Sequence, residues 1–306
     1  MNSRRPTDAQ NLKVKSTIDT SLVIEPVVSA FNRIDRPAWL IHRLIECGTL
    51  GQIYAGWNVG KSALAVDLAC RVSTGSEFLG RSVQQGPVLY IASEGSRGLI
   101  RRFRGWAKFN ETELPTSIYK TLATTRLPNI ETEDKLKVAI EHIQATHGIP
   151  PLLVVIDTLA QTLVGDQNST SEVDRFTALL RTLFPDSAVM LLHHVGHGEK
   201  TRSRGASSLP AACDWEFQLE NFNGSSDDEN VIKYIRLKNT KQRDEEQQDD
   251  CCFSLIRVTL EDDEFGDPYT TVVPIPLLGF TNKSTSLKRW GPTARTLLKF
   301  LDQMLD

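Results

Sequence analysis

The chain has 306 residues, with 35 Lys and Arg against 38 Asp and Glu and a hydrophobic fraction of 40%. That composition excludes a wholly disordered or fibrous chain. A formal charge of −3 excludes nucleic-acid binding through a uniformly basic surface, so any such contact must come from a local patch or from several copies in a ring.

Residues 1–35 are polar and aperiodic and read as a flexible N-terminal arm with a short docking segment at Leu22–Val28. Basic residues near the start have no apolar stretch behind them, so no secretory signal is expected. Pro37–Ile45 is more apolar. Gly51–Ala55 reads as a short buried strand, and the helical pattern Ala63, Leu64, Val66, Leu68, Ala69, Val72 follows it. Further strands are expected at Pro87–Ala92, Leu152–Ile156 and Ala188–His193. Helices are expected at Gly98–Phe109, Asp134–Thr146 and Glu172–Phe184.

Strands that are apolar on both faces and alternate with helices predict a mostly parallel sheet flanked by helices, an α/β fold. After residue 214 the texture changes. Trp215–Leu219, Val231–Leu237, Cys252–Leu260 and Thr270–Ile275 read as mainly antiparallel strands appended C-terminally to that sheet. Residues 36–280 are therefore expected to form the core, and 281–306 a linker with a terminal helix at Pro292–Leu305. No apolar run reaches the roughly 20 residues that span a bilayer, so no membrane partner is expected. The five cysteines (Cys47, Cys70, Cys213, Cys251, Cys252) are odd in number and contain no C-x-x-C, which reads as reduced thiols in a cytoplasmic protein.

The strongest motif is Ala55-x-x-x-x-Gly60-Lys61-Ser62, a relaxed phosphate-binding loop with Ala in place of the first Gly. A loop over Gly56, Trp57, Asn58, Val59, Gly60, Lys61, Ser62 and Ala63 can turn successive N–H groups toward a phosphate chain. The helix that begins there adds positive potential. Lys61 would reach the β- and γ-phosphates of ATP, and Ser62 would hold Mg²⁺. A strand before the motif and a helix after it are the arrangement that separates such a loop from a chance glycine turn.

Asp157 closes an apolar strand, where a carboxylate would face the phosphate-bound Mg²⁺. Glu94 follows another strand and could orient and deprotonate an attacking water. His193 and His194 end the fourth strand, with His197 close behind. Their spacing fits no zinc pattern, and a strand-end sensor of the γ-phosphate is the better reading. Arg204, Lys241 and Arg243 are cations in polar stretches that could stabilise charge on a transferring phosphoryl group, in rings often from the neighbouring copy.

Taken together, AGWNVGKS (55–62), VLYIASEG (88–95), LLVVIDT (152–158), VGDQNSTSEV (164–173), LLHHVGHG (191–198) and SRGASSL (203–209), followed by Cys213-Asp214, resemble the RepA-like and RecA-like hexameric ATPases of plasmids and phages. The resemblance spans residues 36–245. It implies a RecA-like P-loop NTPase fold and Mg-ATP as the fuel. Lys61 and Ser62 would bind phosphate and Mg²⁺, Asp157 would be the second Mg²⁺ acid and Glu94 the general base. His194 (or His193) would be the sensor, Arg204 a γ-phosphate contact, and Lys241 with Arg243 a pair of finger residues.

The output it implies is a hexameric, replicative helicase-like motor on single-stranded DNA, with the loops Leu159–Ser171 and Val195–Ser203 facing a central channel. The alternative is an ATP-switched DNA-binding or recombination factor without unwinding activity, with helix 101–108 as a contact surface. The more ordinary reading of that helix buries its apolar side and solvates its cations. A structural protein with a relic loop is disfavoured, because Lys61, Ser62, Glu94 and Asp157 are all present.

Overall fold

The structure, a computed structural model, describes residues 37–93, 96–194, 208–224, 228–262 and 264–277. Every element below lies in the compact unit that begins at Ala38. The expected arm and the expected terminal helix fall outside the described residues.

A small antiparallel pair, β1 (Trp39–Ile41) and β2 (Ile45–Glu46), precedes the main sheet. The main sheet has nine described strands in the order β11-β10-β9-β8-β3-β7-β6-β4-β5. Its centre is β3 (Leu50–Ala55), β4 (Val88–Ala92), β6 (Leu153–Asp157) and β7 (Ala188–His194). These are the four apolar runs. Residues in β3, β4 and β6 are buried on both faces because helices cover each side. A short edge strand, β5 (Ile118–Lys120), escaped the sequence reading. Three half-buried residues after a proline carry too little periodicity to register.

On one face lie α1 (Lys61–Thr74) and α2 (Ser96–Phe109). α1 is rich in Ala and Leu and nearly all buried. It stops at Gly75, whose φ of +71° suits a left-handed cap and whose N–H bonds the Arg71 carbonyl. On the other face lie α3 (Ile130–His147), α4 (Leu159–Thr162), α5 (Thr170–Leu183) and α6 (Ser208–Ala212), around Leu89, Ile91, Val154, Ile156 and Leu191. α3 starts at Asn129, whose side chain accepts from the Thr132 N–H at 3.0 Å.

The last strands are β8 (Trp215–Phe222), β9 (Val231–Gln242), β10 (Cys251–Asp262) and β11 (Pro268–Pro276). β9, β10 and β11 are antiparallel as expected, but β8 runs parallel to β3. The chain leaves the top of β7 and re-enters the sheet twenty residues later at the starting end of β3. A connection of that length permits a parallel crossover.

β10 and β11 also pack on α2. A Cβ on Gly105 would lie 2.1 Å from Thr271 Cγ2, Arg104 pairs with Glu261 at 2.9 Å, and Arg101 sits 4.6 Å over the Tyr269 ring. Ile235, Phe253, Leu255 and Val273 thus share one apolar cluster with α1 and α2.

Candidate functional site

The loop between β3 and α1 needs two positive φ angles, at Asn58 (+57°) and Gly60 (+122°). Gly60 tolerates this because it has no Cβ. It is also pressed from outside, since a Cβ there would stand 3.0 Å from Leu255 Cδ1. α1 then starts at Lys61, so its first N–H groups face the cleft.

Lys61 is buried, and its Nζ donates to the carbonyls of Ala55 at 3.1 Å and Gly56 at 2.9 Å. The same ammonium lies 3.1 Å from His194 Nδ1. An ammonium only donates, so Nδ1 is the acceptor and the imidazole proton sits on Nε2. His194 ends β7, the parallel neighbour of β3, with Ala55 level with His194. The Trp57 indole stacks on that imidazole, with ring centroids 4.0 Å apart and planes at 19°. His193, one residue earlier, turns to the other side of the strand and is buried.

Asp157 ends β6, which pairs with β7 on one side and β4 on the other. Its carboxylate accepts from the Tyr90 hydroxyl at 2.8 Å and from the Ser62 hydroxyl. Burial raises its pKa; those two hydrogen bonds, with the charges of Arg102 and Lys61, pull in the opposite direction without cancelling it. The Tyr90 hydroxyl is raised well above its ordinary value by burial and by the neighbouring carboxylate, so it stays a donor.

Lys61, Ser62, Asp157 and His194 line one cleft of about 480 Å³, with Trp57 through Ala63 along one side and Leu99, Arg102, Asp157, Thr158 and His194 beyond them. An adjoining hydroxyl and carboxylate supply the hard oxygen ligands that Mg²⁺ prefers. Ser62 and Asp157 therefore form a donor set that would fit Mg²⁺. A loop with a buried lysine at a helix start fits the phosphates themselves.

The structure thus brings together Lys61, Ser62, Asp157 and His194. Glu94, Arg204 and His197 lie outside the described residues, as does the loop Val195–Ser203. Lys241 and Arg243 are not in this cleft. Lys241 Nζ donates to the Pro210 and Cys213 carbonyls, each at 2.6 Å. Arg243 binds the Ala211 carbonyl at 3.2 Å and the Asp214 carboxylate at 2.5 Å. Both sit at the starting end of the parallel strands, because Lys241 pairs with Glu216 and Glu216 with Gln52. That puts them roughly 10–17 Å along the strand from the phosphate loop.

The first part of the expected loop Leu159–Ser171 is corrected. Residues 159–162 are the short helix α4, with Leu159 and Thr162 buried, and Leu163 is buried behind them. Leu159 and Leu163 belong to the core, Ala160 is exposed on the outer side of the short helix, and from Val164 the rest of the stretch is mostly exposed. The ordinary reading of helix 101–108 holds for its apolar side, but its cations are engaged rather than simply solvated: Arg102 lines the cleft and Arg101 lies over the Tyr269 ring. Phe103 and Trp106 are buried, Arg104 pairs with Glu261, and Lys108 donates to the Leu260 carbonyl.

Sequence reasoning missed Tyr90, Arg102 and Lys233. Tyr90 had a signal, since a hydroxyl in a strand buried on both faces needs an acceptor. Arg102 was hidden in a run of cations. Lys233, whose Nζ donates to the Asn58 carbonyl across 175 positions of sequence, had none.

Residues 19–200, more than half of the chain, match the family model described as the AAA domain. The chain belongs to the AAA domain family. Its nucleotide loop, the Asp157 strand and the His194 strand all lie within the AAA domain match, whereas β8–β11 lie beyond it. Among solved structures, the crystal structure of the RadB recombinase is similar at 15% sequence identity and a TM-score of 0.48, covering 69% of this chain and 88% of that one. No helix among the described residues is long and apolar enough to cross a membrane.

Proposed function

We propose that this AAA domain protein is a Mg-ATP hydrolase that assembles into a ring, in our reading a hexamer, and moves on single-stranded DNA as a replicative helicase-type motor in the cytoplasm. The observation that carries the ATPase part is the convergence of Lys61, Ser62 and Asp157 in one cleft.

In this reading Lys61 gives up the Ala55 and Gly56 carbonyls for the β- and γ-phosphates. Ser62 and Asp157 would hold a Mg²⁺, which would supply neutralising charge beside the transferring phosphoryl group. His194 then loses its Lys61 partner and meets the terminal phosphate instead, which makes it the sensor. Glu94 is the proposed base for the attacking water, and Arg204 a proposed γ-phosphate contact.

Lys241 and Arg243 lie outside this chain's own cleft and hold the carbonyls around α6 and the Asp214 carboxylate, so as fingers they would have to leave those partners and reach a nucleotide held by a neighbouring copy. The five cysteines are unpaired, in keeping with a reducing compartment.

The test is phosphate release with and without single-stranded DNA, strand separation on a forked duplex, and mass measurement with and without ATP. DNA-stimulated release and separation, both lost in Lys61→Ala, with a multimer of defined mass, are expected. Release without separation under any condition overturns the motor, and ATP-dependent DNA binding alone then selects an ATP-switched binding factor. No release at all overturns both.

A further inference from the structure

We propose that the C-terminal strands β9–β11 build the nucleoside half of the cleft: Ile232, Leu255 and Val272 seat the base of a nucleoside triphosphate by apolar contact, and Lys233 closes the phosphate loop from outside. This rests on the nucleotide reading above and adds where the base lies and how it is chosen.

The direction of the bound tail follows from the strand order. Asp157 and His194 stand on β6 and β7, to one side of β3; β8 and then β9 stand on the other. A triphosphate gripped by Lys61 and Ser62 with its terminal phosphate toward Asp157 therefore leaves its other end facing the β9 side. There the cleft changes character. Ile232, Lys233, Leu255 and Val272 complete the lining.

Ile232 keeps 45% of its surface exposed, which leaves an uncovered apolar side chain beside a phosphate-binding loop. Leu255 touches the loop at Gly60. Lys233 is half-buried and binds the Asn58 carbonyl, which ties β9 to the outer rim of the loop. The cleft's volume of about 480 Å³ lies within the range of pockets that enclose small organic ligands.

The wall also implies its selectivity. Ile232, Leu255 and Val272 offer only carbon, and Lys233 only donors. Apolar seats discriminate weakly between bases of similar shape, whereas hydrogen-bonding seats reject the wrong group strongly. The seat accepts purines by contact and separates adenine from guanine poorly.

The experiment is calorimetric titration of the full chain with Mg-ATP, Mg-GTP and Mg-tripolyphosphate, the last being a phosphate tail without a nucleoside. Wild type is compared with Ile232→Ala/Val272→Ala, both outside the fully buried core, and with Lys233→Met, with urea midpoints as a check on folding. Wild type should bind ATP and GTP within about tenfold of each other. The double alanine variant should weaken ATP roughly tenfold while tripolyphosphate stays within about twofold. Lys233→Met should weaken both ligands alike, because the loop that holds the tail loses its outer tie.

Equal weakening of ATP and tripolyphosphate by the alanines, no weakening of either, or a preference of about a hundredfold for ATP over GTP overturns the seat. Tripolyphosphate binding with those outcomes leaves the phosphate loop standing. Absence of binding by every ligand sinks the nucleotide reading itself.

Discussion

Asp157→Asn should make the protein more stable and much less active. Asp157 is 7% exposed, and its acceptors are met by Tyr90 and Ser62. Burial raises its pKa in the folded chain, while the unfolded chain has an ordinary carboxylate near 3.9. Between those two values the folded state binds more protons than the unfolded state, so stability falls as pH rises through the window. At neutral pH the folded protein carries the burden of an ionised, buried acid.

Asparagine keeps the size, still accepts from the Tyr90 hydroxyl and sheds the charge. The gain at pH 7.5 should be about 1–2 kcal/mol, the scale of a single well-placed stabilising change. It should shrink toward zero as pH falls through the window. Urea unfolding of both proteins at several pH values, without nucleotide or Mg²⁺, measures it. Phosphate release should fall by at least about a hundredfold, as expected when a group acting on developing charge is removed. A variant that is less stable at pH 7.5, or whose advantage does not change with pH, would refute the idea that burial of this charge is a liability kept for function.

Gly51→Ala should lower the unfolding free energy read from urea titration by about 1–3 kcal/mol, the usual penalty of overpacking, because the new Cβ would lie 2.0 Å from the buried Trp215 ring. Asp214→Ala should destabilise by about 2–3 kcal/mol, since its carboxylate binds the Leu50 N–H at 2.9 Å and both Arg181 and Arg243; thermal unfolding reads this. Adding Mg-ATP should change Trp57 emission by disturbing the stack on His194, and His194→Ala should remove most of that change; unaltered emission in wild type at saturating ATP would contradict the proposed exchange of Lys61 partners.

The central parallel strands β3, β4 and β6 were legible because each is fully buried. Burial on both faces forces a continuous apolar run, and such runs ending in Asp157 or running into Gly60-Lys61-Ser62 announce both the strand and its tip. What was not legible depends on pairings distant in sequence. Nothing local says that β8 joins β3 in parallel, since its direction is set by where the chain re-enters the sheet. Lys241 and Arg243 read as cations of a polar stretch that could reach a transferring phosphoryl group, yet in this chain they hold the carbonyls around α6 and the Asp214 carboxylate. The Leu159–Leu163 stretch looked like the start of a loop because four to five residues are too few to show helical periodicity, while the burial of Leu159, Thr162 and Leu163 follows from packing on β6 and β7.

The boundary of the family match does not coincide with a boundary of the core. The match ends at residue 200, but β8 is the hydrogen-bonded neighbour of β3, the strand that delivers the phosphate loop. Without β8 the backbone of β3 would have an open edge. Without β9 to β11, the apolar sides of α1 and α2 would lose Ile235, Leu237, Phe253, Leu255 and Val273. Gly60 would also lose the Leu255 side chain that presses on it, and Asn58 the Lys233 ammonium that holds its carbonyl. The loop's shape is therefore set from two directions: from within by β3 and α1, and from outside by strands that the family match does not include. Residues 55–62 give the loop its chemistry, but its rigidity depends on residues some 170 to 200 positions later.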